Sequence, residues 1–443
     1  MKMSQDFIHG NTKKSLDAMV LPLMIAMILN MAYNLVDSLW IGNLLGETAY
    51  AALTNATPLI LILNAIAMGA TNGVAILLSQ AVGAGDRFRS ARLITTSLIT
   101  AVVFALGITV LLELTLTPLL LLLQTPNEIF SLTRDYLVIY ILGYLPVFLY
   151  CYFAAVMRSY GNSIFQVLAM LICTLLNAGL DPLFIHLMGF NGAAVATLLS
   201  QTLCLFCMLV YLHRKPLFSL HFSQFDRHLI REFVVKGVPA AFQQSIPAIS
   251  TSFLTALVSD YGLSALAAYG ITGKLETILF YPAMALNMAL TSIVGQCSGG
   301  KRYDRATDYV KLALRYGIFA LIVLSAVVIL FADPLSHLFV DSDAAAKIVA
   351  IYFRIVGAGY VLNTVTNCYL GSLNGLGQPT KSMLCMVLYY LIIRMPLAWL
   401  LATLGFGLNG IWAAVLLSHA VAAAAAMLTC RQTLRKMAHA ASR

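Results

Sequence analysis

What most restricts the possible folds of this chain is a series of near-continuous apolar runs that recurs along its whole length. A hydrocarbon core ~30 Å thick is crossed by about twenty helical residues, and these runs reach or exceed that length. The sequence of 443 residues is 60% hydrophobic and only 10% charged, with a mean hydropathy of +0.87, well beyond the apolar share of a soluble domain. It reads as an all-α integral membrane protein that leaves no separate soluble domain.

Within such a chain an acid inside a span is costly and marks a functional site by default. The stretch Leu175 to Phe184 (LLNAGLDPLF) places Asn177 and Asp181 one helical turn apart on one face. Asn34 to Asp37 (NLVD) repeats that chemistry on the first helix, and the two stretches are expected to meet.

Several function classes fall away. The net charge of +9 comes from basic residues in short loops, where they set topology, so nucleic acid is not an expected partner. The eight cysteines are scattered as buried small hydrophobes, and no P-loop or zinc-protease motif occurs. The Gly-rich stretches Gly83 to Gly85 and Gly299 to Gly300 lack a following Lys-Ser or Lys-Thr and read as tight turns. No cofactor is expected. The first apolar run is too long for a signal-peptide core, so the first helix is expected to stay.

Runs bounded by charged or Gly/Pro-rich loops predict twelve helices, at roughly 16–41, 51–82, 91–116, 132–157, 164–187, 190–212, 233–259, 266–297, 308–332, 347–372, 381–404 and 408–430. Of 27 Lys and Arg residues, 22 lie on the side of the N-terminus, while the opposite loops carry Glu47, Glu128, Asp260, Asp333, Asp341 and Asp343. Both termini are therefore expected in the cytoplasm, with the chain a multi-pass protein of the cell inner (plasma) membrane.

The halves repeat with an offset of about 216 residues. Pro22 matches Pro239, the run from Gln80 to Ala91 matches Gln296 to Ala306, Tyr136 matches Tyr352, and Asn191 onward matches Asn409 onward. Six helices per half is an even number, so the repeat is parallel. The expected organisation is an N-terminal lobe over 1–212, a cytoplasmic linker over 213–232 and a C-terminal lobe over 233–443.

Twelve helices in two lobes, Pro22 and Asp37 on the first helix, the Gln-x-x-Gly-x-Gly followed by Arg and Ala after the second, and Asn177 to Pro182 on the fifth resemble the multidrug and toxic compound extrusion (MATE) transporters. The resemblance covers nearly the whole chain, and lies nearer the branch related to the DNA-damage-inducible membrane proteins. It implies a secondary antiporter, not an enzyme, which exports amphipathic, often cationic organic compounds in exchange for H+ or Na+. It implies an ion-coupling site of Asp37, Asn177, Asp181 and Thr197, which would also be the metal ligands if Na+ is the ion. It also implies bending of the first helix at Pro22. One branch of the family has a glutamate on the seventh helix where this chain has Gln243 and Gln244, so a coupling site of that kind is not expected here.

The depth of these residues agrees with that site independently. At ~1.5 Å per residue, Asp37, Asp181 and Thr197 all lie on the order of 6–10 Å below the outer interface. Two carboxylates, an amide carbonyl and a hydroxyl suit a hard cation, and the same carboxylates could take a proton. A structural reading stays open, with Asp181 serving backbone groups freed by Pro182 and Asp37 near the surface. In the second half Lys274, Glu276, Arg354 and Arg394 are charges within spans. Glu276 and Arg394, both near the midplane, form either a structural ion pair or a polar wall of the substrate cavity. A lipid-linked saccharide flippase of the same superfamily would typically carry extra helices and a cation-lined N-lobe cavity. An integral-membrane lipid enzyme would need His, Asp or Glu clustered at one membrane face, whereas His9, His186, His213, His221, His228, His337, His419 and His439 are dispersed. The expected partners are small organic substrates and the bilayer, with the protein acting as a monomer.

Overall fold

The computed structural model describes residues 5–123, 125–214, 224–339 and 343–441, and these are helical almost throughout. Seven helices among them are long and apolar enough to cross a membrane, and two bent pairs bring the number to nine. Two of the seven are doubled. The 72-residue run Thr12–Gly83 is two helices, α1 and α2, meeting at Gly46. The run Pro379–Ala441 likewise breaks at Gly405 into α11 and α12, with α12 spanning Gly407–Ala441. Gly46 sits at φ 80°, a backbone that L side chains rarely adopt, so this residue is what allows the chain to turn between the first two spans.

The remaining spans are α3 (Arg87–Leu122), α5 (Ile164–Met188), α6 (Phe190–Arg214), α7 (Arg227–Ser259), α8 (Leu263–Gly299) and α9 (Tyr303–Leu330). The bent pairs are α4 (Asn127–Leu142 and Tyr144–Ser159, at 45°) and α10 (Asp343–Val356 and Gly359–Gly375, at 53°). A short helix, Ala332–Phe339, lies between α9 and α10. Counting α7 as well, 33 residues long though less apolar, the described residues hold twelve such helices, the number that the hydropathy pattern predicts. Their exteriors carry many exposed Leu, Ile, Val and Phe side chains, the surface expected of helices solvated by lipid tails.

Helical dihedrals continue through Pro22, and Gly46 is the one non-helical residue inside Thr12–Gly83. In α11 the winding is π-helical over Val387–Arg394. Pro396, just beyond, removes an N–H from the ladder, so a locally wider turn is a natural accommodation.

The chain forms two compact units. One holds Leu21–Leu78 and Asp86–Ala241; the other holds Asp6–Val20, Ser79–Gly85 and the chain from Phe242 onward. In the first unit α5 and α6 form a tight hairpin. A Cβ on Gly192 would fall 2.0 Å from the Phe184 carbonyl oxygen, so only glycine lets α6 approach α5 this closely. In the second unit α8, α10 and α12 enclose a core that includes Tyr352, Phe353, Tyr360 and Trp412. The Gln80 side-chain amide donates to the Gly375 carbonyl there at 2.9 Å, which ties the end of α2 to the end of α10.

Candidate functional site in the first unit

The α5–α6 hairpin fixes the candidate site. Asn177 and Asp181 are both 0% exposed, and Thr197 on α6 is 4% exposed. The Asn177 amide donates to one Asp181 oxygen at 2.9 Å, the i,i+4 contact that the sequence spacing predicts. The other Asp181 oxygen and the Asn177 carbonyl oxygen are buried without a hydrogen-bond partner. Asp37 on α1 is 9% exposed, lies within electrostatic reach of Asp181, and also has a buried carboxylate oxygen without a partner. Buried acceptors normally find donors, so three orphaned acceptor oxygens in one neighbourhood require an explanation.

The second stretch differs from its sequence reading in one respect. Asn34 is exposed and donates to the Asn30 carbonyl at 2.8 Å, so it does not act as the amide neighbour of Asp37. Residues three and four before Asp37 both lie within reach of its face, and the packing buries Tyr33 while leaving Asn34 exposed. The Tyr33 hydroxyl is buried without a hydrogen-bond partner and lies within electrostatic reach of Asp37. Tyr136 on α4 is within electrostatic reach of both Asp37 and Asp181 and stacks on Phe190 at 4.7 Å, while Tyr140 lies within electrostatic reach of Asp37. The i−4 relation to Asp37 is the signal that could have singled out Tyr33.

The charges of the second unit arrange themselves differently from a Glu–Arg pair. Glu276 on α8 accepts hydrogen bonds from the Tyr352 hydroxyl at 2.5 Å and the Tyr360 hydroxyl at 3.2 Å. Arg394 donates to Ser418 at 3.0 Å and to Tyr389 at 2.7 Å, and meets a His419 ring nitrogen at 3.3 Å. Its guanidinium also lies over the Tyr389 and Tyr390 rings, at 4.7 and 4.6 Å. Among the described residues Glu276 forms no contact ion pair. Arg354 pairs with Asp333 instead and Lys274 is exposed, so neither joins the Glu276 cluster. His419 is the residue of this cluster that a search for charges alone passes over, because its role depends on neighbours from another helix. Of the expected loop histidines, His221 falls outside the described residues.

Two carboxylates, an amide oxygen and a hydroxyl are hard oxygen donors suited to an alkali cation or a proton. Among the described residues no group of three or more His, Cys, Asp and Glu side chains gathers as for a transition metal. With this geometry in view, the relatives of the chain become informative. A family model, MatE, matches residues 22–183 and again 239–400, the two halves of the repeat. The chain is 27% identical over 433 residues, 96% of each chain, to the "Probable multidrug resistance protein YpnP" of Bacillus subtilis, and 25% identical over 398 residues, 86% of each, to the "FAD transporter" of Shewanella oneidensis. Its fold matches a "Crystal structure of MATE in the bent conformation" with a TM-score of 0.93 at 22% identity, covering 99% of this chain and 98% of the other. The chain belongs to the MatE family and is a multi-pass membrane transporter, not an enzyme.

Proposed function

We propose that this transporter is a secondary active antiporter that exports amphipathic, often cationic organic compounds in exchange for H+ or Na+ by alternating access. Asp37, Asn177, Asp181 and Thr197 form its ion-coupling site. The observation that carries this reading is the set of buried acceptor oxygens on Asp37, Asn177 and Asp181 without donors. In lipid-embedded helices such oxygens cost free energy unless something positive shares them, and a proton or a sodium ion meets that need. The names of relatives as multidrug resistance proteins support the substrate class.

Coupling requires only that ion and substrate favour different states of the protein. Asn177 holds one Asp181 oxygen and leaves the other free for the ion. Bending of α1 at Pro22 is the motion we assign to ion binding, since proline already lacks the hydrogen bond that bending would break. We place the lobes at 1–212 and 233–443 joined by the linker 213–232, the chain in the cell inner (plasma) membrane as a monomer, and both termini in the cytoplasm. Drug accumulation in an efflux-deficient host, with sodium and pH varied separately, tests the reading. Export should follow one of the two gradients, and export indifferent to both would overturn it.

A further inference from the structure

The first unit holds buried acceptors without donors at Asp37 and Asp181, and it also holds the opposite case. Arg158, the penultimate residue of α4, is 4% exposed, and its Nε–H is buried without a hydrogen-bond partner. Its one side-chain hydrogen bond among the described residues runs from a terminal guanidinium nitrogen to the side-chain oxygen of Gln166 on α5, at 3.0 Å. Gln166 is neutral, and among the described residues no carboxylate lies within electrostatic reach of the guanidinium. An arginine keeps its proton inside a protein, so it cannot shed the charge as a buried lysine or histidine does. Burying such a charge without a counter-charge is costly, and Arg394 shows how the chain otherwise meets that cost, with Ser418, Tyr389 and His419 as polar partners, two tyrosine rings against the guanidinium and Glu276 within electrostatic reach. Arg158 has none of these.

The groups that the Arg158 charge does reach are themselves donors. They are the Tyr150 hydroxyl and the Cys151 thiol, both earlier on α4. Side chains on a helix lean toward its N-terminus, so the guanidinium is drawn back along α4 toward this pair and away from the helix end. Among the described residues the Tyr150 hydroxyl donates to the Met170 sulfur alone, at 3.8 Å, and a thioether is a weak acceptor. A guanidinium N–H without an acceptor and a hydroxyl spent on sulfur thus surround one fixed positive charge, which is the donor set of an anion site.

Charge and burial narrow the anion. One positive charge is neutralised by a monovalent ion, and a side chain this buried favours an ion that gives up its water readily. A halide meets both conditions, whereas sulfate and phosphate are multiply charged and strongly hydrated, and gluconate is bulky. We propose that Arg158, with the Tyr150 hydroxyl, forms a buried site for a single chloride ion at the junction of α4 and α5. The site stands whether or not Asp37 and Asp181 couple export, because it draws on other residues.

The experiment follows thermal unfolding of the purified full-length protein in detergent as sodium gluconate is replaced by sodium chloride, with sodium and ionic strength held constant so that any sodium site is unaffected. The midpoint should rise saturably, by roughly 2–5 °C once chloride is well above its dissociation constant, and bromide should act alike. Sulfate stabilises folded proteins in general, so a specific site requires chloride to exceed sulfate at equal ionic strength. Arg158→Lys should keep part of the chloride response, Tyr150→Phe should shift it to higher chloride, and Arg158→Gln should lose it. A wild-type midpoint that is the same in chloride and gluconate, or that rises more in sulfate than in chloride, overturns the site whichever variants fold. A chloride response of wild-type size in Arg158→Gln overturns it as well.

Discussion

Asp181 and Glu276 are both carboxylates inside spans, and they differ in what their oxygens receive. Asp181 shares its neighbourhood with a second acid, takes one hydrogen bond from an amide on its own helix, and keeps a buried oxygen with no donor. Glu276 is held by two tyrosine hydroxyls from α10, and a guanidinium stands beyond contact. The first arrangement leaves buried acceptor oxygens unpaired. The second is anchored by neutral donors and has an opposite charge in view. The two halves of an internally repeated chain thus treat a buried carboxylate in opposite ways, and on the reading proposed above only the first is left open to an ion.

The largest effect expected from breaking this contrast is at Asp37. Asp37→Asn keeps the shape and removes the charge, so export should fall to background while expression stays near wild type; Asp181→Asn should do nearly as much. Retention of wild-type efflux by Asp37→Asn under either gradient would move the coupling site to the Glu276 cluster.

Glu276→Gln should act mainly on stability. It weakens two hydrogen bonds to a charged acceptor, and a loss of about 1–3 kcal/mol is expected from thermal unfolding in detergent. Combining it with Tyr352→Phe should cost less than the sum of the two, because both remove one interaction; strict additivity would show that the tyrosine does not anchor the acid.

Thr197→Ala is a smaller and more diagnostic change. A hydroxyl is a ligand for sodium and of little use to a proton held on a carboxyl, so transport should weaken severalfold if sodium is the ion and little otherwise. Comparison of sodium-driven with proton-driven uptake into inverted vesicles reads this directly. The smallest effect belongs to Asn34→Ala, which removes an exposed amide that among the described residues bonds Asn30 alone. Export should stay within about twofold of wild type, as for most surface substitutions, and a large loss would restore Asn34 to the site.

These expectations also mark where sequence alone was sufficient. The twelve spans follow from run length against bilayer thickness, and the Asn177–Asp181 contact follows from a period that fixes both residues on one face. Asn34 and Tyr33 both have spacings that can share a face with Asp37, and only packing shows that Tyr33 is buried there and Asn34 exposed. The partners of Glu276 were beyond sequence for another reason. Charge pairing argues for Arg394 or Arg354, but which helix faces α8 is decided by packing, and the packing brings Tyr352 and Tyr360 to it. The π-helical turn at Val387–Arg394 rotates Arg394 relative to a plain α-helix, so no regular period places it correctly.

The central claim is that the ion driving export binds at Asp37 and Asp181, and ion release on substrate binding tests it most directly. Purified protein in weakly buffered detergent is mixed with a saturating organic cation while released protons or sodium are recorded. Wild type and Glu276→Gln should both release the ion, and Asp37→Asn should release none while remaining folded. Release from Asp37→Asn equal to that of wild type would contradict the assignment.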